Sequence, residues 1–367
     1  MGSWKPDLIE RAFAEAALDS SLWVKALDIV TSITGSKGAG LFPAAGDGLP
    51  NVPYSEPISA PMEDYFKNGW HLRDERQRGI GIMVRRGVYD DSDVSNDDQI
   101  KRHPYYQEFL ASHGLRWFAG IRIATDEDLW CLAIQRTSDQ GPFSKAEKRQ
   151  FAVLSDRLSA SAALARALGS ATAAGALQAF EVSGKAVALI NRRGEAYRLN
   201  SSAEQLLRGD VRVENRKLVT SDSGATAALN RALHELMWQR IGGGFSQPIS
   251  LPRRGKRSIL AYPIKLSNLA ANALADCQAL VILIDLEKQP HTSEAALRIT
   301  FHMTAAEARL AARLGAGQSL EFATEQIGIS KETGRNQLKS IFLKTGVNRQ
   351  SELVALLSLF LAPRTVQ

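Results

Sequence analysis

The stretch SKETGRNQLKSIFLKTG, from Ser330 to Gly346, reads as a helix capped by Ser330. It carries Lys331, Arg335 and Lys339 at steps of four, opposite Leu338 and Ile341. Residues four apart stack on one helical face, and three cations there repel unless solvent or an anion relieves them. Gly334 lies four residues before Leu338 and seven before Ile341, hence on the packed side. A glycine inside a helix costs about 1 kcal/mol relative to alanine. Either a neighbouring element approaches closely at that point, or the helix is marginal until a partner orders it. On the second account Gly334→Val is expected to raise the melting temperature.

The flanking sequence places this helix third of four. TAAEARLAARLGAG begins with Thr304 as N-cap and Glu307 three residues later, a capping box, and stops at Gly315 or Gly317. SLEFATEQIG repeats the device with Ser319 and ends at Gly328, and NRQSELVALLSLFL supplies the last helix, with Pro363 beyond it. Short helices joined by a turn of about three or four residues are helix-turn-helix geometry, which turns one helix outward. Thr304, Glu307, Ala308, Leu310, Gly317, Ser319, Ala323, Ile327, Ile329, Ser330, Thr333, Arg335, Leu338, Ile341, Lys344, Gly346, Val347, Arg349 and Gln350 together resemble the LuxR-type DNA-binding domain. The resemblance implies that the third helix enters the major groove of double-stranded DNA and that the fourth pairs two subunits. It implies that Lys331, Arg335, Asn336 and Lys339 face DNA while Leu338 and Ile341 hold the scaffold. Arg335 is the candidate for base or phosphate contact, Lys331 and Lys339 for phosphate, Asn336 and Gln337 for base edges, and Thr333 for a phosphate oxygen, with Ser330 shared between that role and capping. LuxR-type helices usually carry a branched apolar residue where Gly334 stands.

Upstream, KAVALINRRGEAYRLNSSAEQLLRGD reads as a strand, a turn at Arg192 to Gly194, a second strand and a short helix capped by Ser201 or Ser202 and closed by Gly209. It resembles the opening of a PAS domain, with Gly194, Asn200, Ala203, Leu207 and Gly209 in the matching places. A helix from SGATAALNRALHELMWQ and strands at SQPISLP, RSILAYPIKL and ALVILIDLE continue that plan. His234 in the helix is a surface or core histidine rather than a haem ligand.

The first part alternates helices at DLIERAFAEAALD and SLWVKALDIVTSI with strands at RWFAGIRIA and DLWCLAIQRT, separated by the turn TDED. A helix is also expected over NDDQIKRHPYYQEFLASHG. These pieces suggest a helix-covered antiparallel sheet able to enclose a small ligand. Tyr54, Tyr65, Phe66, Trp70, Tyr105, Tyr106, Phe109, Trp117 and Trp130 gather there, with Asp74 nearby. Each alone is most simply core; several tryptophans beside a carboxylate also suit an aromatic or amphipathic ligand. Tyr65, Trp70, Asp74, Phe109, Trp117 and Trp130 are the candidate ligand residues. YFKNGWHLRDERQRG and HPYYQEFLASHGLRWFAG resemble the N-terminal regions of multidomain LuxR-type regulators and, more distantly, the autoinducer-binding domain. There an aromatic pair and an aspartate hold an acyl-homoserine lactone, a role that the resemblance carries to Tyr65, Trp70 and Asp74 alone. The spacing differs here, and the aspartate-proline pair is absent.

The expected architecture is multidomain α+β. It comprises a GAF-like sensor at residues 1–143, a helical linker at 144–175 that Gly169 and Gly175 interrupt, and a PAS-like α/β domain at 176–288. A polar connector at 289–301 and an all-α four-helix LuxR-type unit at 302–361 complete it. With 367 residues, several domains are the prior. A hydrophobic share of 44% without a long apolar run gives no membrane span, and the start of the chain lacks the pattern of a secretory signal, so the expected place is the cytoplasm. A net charge of +6 permits a polyanion partner without requiring one. Cys131 and Cys277 lie far apart in apolar runs and read as buried thiols. No cofactor motif or phosphoacceptor pattern appears. The leading expectation is a homodimeric regulator responding to a small ligand; the alternative is constitutive DNA binding with the front domains as protein scaffolds. An enzyme would require Cys131 or Asp74 to be catalytic, and neither has a partner at motif spacing.

Overall fold

The computed structural model describes residues 5–44, 52–124, 129–238, 246–266, 272, 274–287 and 293–357. It is mixed α/β, with antiparallel sheets in front and a helical C-terminus. The first unit runs α1 (Pro6–Leu18), α2 (Trp23–Thr34), β1 (Gly38–Pro43), α3 (Ser59–Lys67), α4 (Ile80–Arg86), β2 (Val88–Asp90), α5 (Asp91–Val94), α6 (Asp97–Arg102), β3 (Leu115–Ala124) and β4 (Leu129–Thr137). Its four strands pair antiparallel in the order β1-β4-β3-β2. Alternation along each strand divides the side chains between two faces. Ile121, Ile123, Trp130, Leu132 and Ile134 join Ile9, Phe13, Trp23 and Leu27 of the helices in one core. Phe118, Cys131 and Ala133 form a separate cluster on the other face.

The expected helix over residues 96–114 is broken. α6 ends at Arg102, Pro104 follows, and Tyr105–Leu110 winds as a π-helix. A proline cannot donate to the preceding turn, and the wider winding that follows buries Tyr105, Tyr106, Phe109 and Leu110.

α7 runs from Lys145 to Val182 without a break, a span of about 57 Å at the standard rise. Ser144 and Glu147 close a reciprocal cap at its start, and neither Gly169 nor Gly175 interrupts it. Phe151, Leu154, Leu158, Ala162 and Ala165 pack on the first sheet, whereas Ala173 packs with Val187 and Leu189 of the second unit. A Cβ on Gly169 would lie 2.7 Å from Cβ of Ala275, so a bare backbone is needed for this approach.

The second unit holds β5 (Ala186–Asn191), β6 (Ala196–Leu199), α8 (Ser201–Leu206), β7 (Val211–Glu214), β8 (Lys217–Thr220), α9 (Ser223–Trp238), β9 (Ile249–Arg253), β10 (Lys256–Lys265) and β11 (Cys277–Asp285). Five strands pair in the order β6-β5-β11-β10-β9, and β7 and β8 make a separate hairpin that the sequence pattern did not reveal. Buried Asn200 fixes the corner after β6. Its Oδ1 accepts from the backbone N–H groups of Val187 and Ala203, both at 3.0 Å, and its Nδ2 donates to the carbonyl of Lys185 at 2.7 Å.

The C-terminal unit contains α10 (Glu294–Phe301), α11 (Ala305–Gly315), α12 (Leu320–Ile327), α13 (Lys331–Thr345) and α14 (Gln350–Leu357). α10 stands where a polar connector was expected, and its Leu297 is fully buried against α11 and α14 residues. Pro363 lies outside the described residues. Glu307 serves two purposes. It closes the reciprocal cap with Thr304, and it also accepts from Ser340 Oγ and Lys344 Nζ of α13, each at 2.6 Å.

The position of Gly334 settles which account of it holds. A Cβ there would stand 2.2 Å from Cγ2 of Thr324, a fully buried residue on α12. The glycine is therefore a point of close helix approach, and the expected stabilisation by Gly334→Val is corrected to a loss. Overpacking of this kind costs about 1 to 3 kcal/mol, more than the roughly 1 kcal/mol gained in helix propensity. Gly334→Ala should lower the melting temperature of the full chain. Adding Thr324→Ala, which leaves 3.6 Å to the Thr324 Cβ position, should recover part of the loss; a cycle with no coupling in urea unfolding would refute the contact.

Glu307 gives a second test. Burial alone would raise its carboxyl, but the bonds from Lys344, Ser340 and Thr304 outweigh burial and hold it down at about 2. A carboxyl depressed in the folded state stabilises it above the unfolded pKa of about 4.3, and that contribution disappears as pH falls toward 2. Denaturant titrations between pH 6 and 2, whose range brackets these values, should show a fall in stability that Glu307→Gln flattens.

Candidate ligand cavity and nucleic-acid interface

On the face of the first sheet away from α1, α2 and α7, a cavity of about 130 Å³ opens between the strands and α3. That is comparable to the roughly 150 Å³ site known to hold benzene in an engineered protein. Phe42, Tyr65, Phe109 and Phe118 supply apolar rings, and Asp74, Arg76 and Gln135 supply polar groups. The volume suits a compact ring.

The polar groups are tightly fixed. Tyr65 donates its hydroxyl to Asp74 Oδ2 at 2.7 Å, and the backbone N–H of Arg76 donates to Asp74 Oδ1 at 2.9 Å. That second bond makes Asp74 the cap of the short 3-10 turn Glu75–Gly79, which swings Arg76 inward from an otherwise charged run. The Arg76 guanidinium, 2% exposed, donates from Nε and Nη2 to both oxygens of Asp91 at 2.8 and 3.1 Å and from Nη1 to Gln135 at 3.1 Å. It also lies 4.5 Å from the Phe118 ring centre. Two carboxylates thus face one guanidinium. Burial pushes the Asp74 carboxyl up, against the Arg76 charge and the bonds from Tyr65 and Tyr105. Burial and the Asp74 charge push the Tyr65 hydroxyl well up, so it stays a donor. Burial raises the Cys131 thiol to about 12, which leaves it protonated and unreactive at neutral pH.

Of the six residues expected here, Tyr65, Asp74 and Phe109 line the cavity. Trp70 stands behind it, stacked on Phe109 at 5.5 Å under the Arg73 guanidinium. Trp117 and Trp130 do not reach it. A register shift between Leu115 and Trp117 reverses the parity of β3, so that Leu115 and Phe118 share the cavity side. Trp117 instead opposes Arg136, whose guanidinium reaches the Thr34 carbonyl and Glu147 on the helix side. Trp130 belongs to the core under α1, α2 and α7. Arg76, Gln135 and Tyr89 were missed, and Tyr105, named in the expected aromatic cluster, was not among the candidate ligand residues. Arg76 sits in a run of charges that reads as a solvated face, and a cap, Asp74, five residues before Gly79 was the available signal.

The second surface is α13. Lys331, Thr333, Arg335, Asn336 and Lys339 are all exposed, while Gly334 and Ile341 are buried. The turn between α12 and α13 spans Gly328 to Ser330, with Gly328 at φ +77°. Ser330 caps α13 and shares its hydroxyl with Thr333 at 2.8 Å. Lys331 pairs with Glu321 of α12 at 2.8 Å, both side chains mostly exposed. An exposed pair of this type contributes little and yields readily to a phosphate. His234 is exposed on α9, its ring 5.6 Å from that of Trp238.

Asp74 offers a test of the cavity. A carboxyl raised in the folded state binds its proton more tightly there, so stability falls as pH rises from the unfolded pKa of about 3.9 through the folded value. Asp74→Asn removes that penalty and should raise the melting temperature at pH 7 by a few degrees, roughly 2 to 4 °C per kcal/mol. A marked loss instead would make Asp74 a structural residue.

No family model matches the sequence, and no curated protein matches it. Among solved structures it is similar to the VqsR LBD domain from Pseudomonas aeruginosa, at 18% identity over 41% of this chain and 88% of that one, with a TM-score of 0.31. It is also similar to a phage VqmA in a VqmA-DPO complex, at 16% identity over 51% and 88% of the two chains, with a TM-score of 0.21. A Vibrio cholerae VqmA dimer, described among LuxR-type receptors, is 13% identical over 50% of this chain and 85% of that one, with a TM-score of 0.21. These likenesses are distant, and the reading of the sites rests on this chain's own residues.

Proposed function

We propose that the chain is a ligand-responsive DNA-binding transcriptional regulator of the LuxR type, not an enzyme. The observation that carries this reading is the exposed edge of α13. Lys331, Arg335 and Lys339 project from it beside Asn336, while the opposite side is clamped to α12 at Gly334 and Thr324. A rigid helix with cations toward solvent suits a major groove, the cations meeting phosphates and the amide or guanidinium meeting base edges. The division into GAF-like, PAS-like and LuxR-type units belongs to the same proposal, with α7 running on to Val182 and α10 counted with the last unit.

The signal is a compact aromatic or amphipathic molecule in the cavity beside Asp74. A ligand N–H would meet the carboxylate, and its ring would lie among Tyr65, Phe109 and Phe118. The partner is a second copy of the chain. Leu164, Ala171 and Gln178, seven apart, and Leu168, Gly175 and Val182, also seven apart, are exposed along α7, a heptad face open for pairing. Ligand binding then changes the dimer geometry and with it the spacing of two recognition helices.

Binding to duplex DNA should weaken steeply with salt, and Arg335→Ala should weaken it by about 1 to 3 kcal/mol if the side chain reads a base. Lys331→Ala should weaken all sequences alike and lower the salt slope by about 1. Glu321→Gln, which frees Lys331, should strengthen binding. Salt-independent gel shifts, or indifference to all three changes, would overturn the assignment.

A further inference from the structure

A second and larger hollow, of about 520 Å³, lies where the first sheet, α7 and the second unit meet. Its walls include Trp130 at the start of β4, Arg166 on α7, Arg192, Arg193 and Glu195 in the β5–β6 turn, Arg216 in the β7–β8 turn, and Asp276 before β11. Among the described lining residues, four arginines face two carboxylates, a local excess of two positive charges.

Both carboxylates are already engaged. Asp276 accepts from Arg166 at 3.1 and 3.4 Å, and Glu195 accepts from the Asn191 amide at 2.9 Å. Arg192, 9% exposed, lies 5.1 Å from the Trp130 ring centre and donates to the Asn272 carbonyl at 3.1 Å. Asn272 in turn donates to the Ala165 carbonyl of α7 at 2.8 Å, which ties the three walls together. Arg193 and Arg216 are exposed, and neither is in a described ion pair. Arg216 also occupies a left-handed backbone position, φ +62°, where a glycine would relieve strain.

We propose that this hollow is a second ligand site, for a compact polyanion bearing phosphate or carboxylate groups. Guanidinium forks match such groups geometrically, and a basic recess between low-dielectric walls concentrates the field on them. Arg193 and Arg216 clamp the anion from two turns of the second unit, while Arg192 and Arg166 supply charge from the walls. An anion seated there joins the first sheet, the long helix and the second unit, and stabilises that arrangement by mass action.

The test uses the full chain at low ionic strength, with inorganic pyrophosphate and citrate as probes and sodium chloride at matched ionic strength as control. At least one probe should raise the melting temperature where chloride does not, and calorimetry should show binding weakened tenfold or more in Arg193→Gln/Arg216→Gln. Arg216→Gly should melt higher than the parent without anion yet bind the probe more weakly, a pairing of signs that a structural role does not produce. Lys331→Gln/Arg335→Gln/Lys339→Gln should leave binding unchanged, which separates this site from the DNA surface. Equal effects of probe and chloride, binding that survives loss of Arg193 and Arg216, or binding lost with the α13 cations would each overturn the proposal.

Discussion

One helix must bury a single face along two different sheets. α7 turns Phe151, Leu154, Leu158, Ala162 and Ala165 to the first sheet and Ala173 to the second. Between them Gly169 allows the segment at Ala275 to come within van der Waals contact of the helix backbone. A side chain at that point would force the two units apart. The capped start at Ser144 fixes the register, and the unbroken hydrogen-bond ladder carries it to Val182. Packed interiors transmit displacement rather than absorb it, so a shift of the first sheet against α7 is felt at β5.

The cavity touches the second unit by another route. Phe66 follows Tyr65 on α3, and its ring meets Trp238 of α9 edge to face at 5.4 Å. The wall that carries the Tyr65 bond to Asp74 therefore rests on the second unit. At the cavity wall the Arg76 guanidinium and Asp74, with Asp91 behind them, are kept at low dielectric, an arrangement that costs stability unless each group is hydrogen-bonded. Asp91 and Gln135 hold Arg76 in place, and Asp74, whose oxygens accept from Tyr65 and the Arg76 N–H, is the carboxylate that burial pushes up. Perturbed groups cluster at functional sites and also occur in structural ion-pair networks; the shift at Asp74 supports the proposed cavity beside the geometry above.

At the other end of the chain, α13 is held by two contacts of opposite character. Thr324 meets Gly334 without a side chain between them, and Glu307 reaches across to Ser340 and Lys344. The first sets how close α12 and α13 lie; the second sets how α13 is rotated about its axis. Together they decide that Lys331, Arg335 and Lys339 face outward.

Much of this was legible in the residues themselves. Thr304 with Glu307, Ser319, Ser330 and the left-handed Gly328 mark helix ends because caps and turns act within three or four residues, although α8 is capped by Asn200 rather than by the expected Ser201 or Ser202. The periodicity of α7 and of β4 likewise follows from local geometry. Tertiary pairing decided the rest. The shift at Trp117 reverses a strand's faces, Arg76 turns inward through the cap made by Asp74, and α10 needs a core for Leu297 before it counts as a helix. Gly334 shows the division most clearly: its identity was plain in the sequence, but its purpose required Thr324, ten residues earlier, to be placed against it by the turn between two helices. Local chemistry fixes where elements begin and end; which side chains then share a cavity depends on registers and approaches set by residues far apart in the chain.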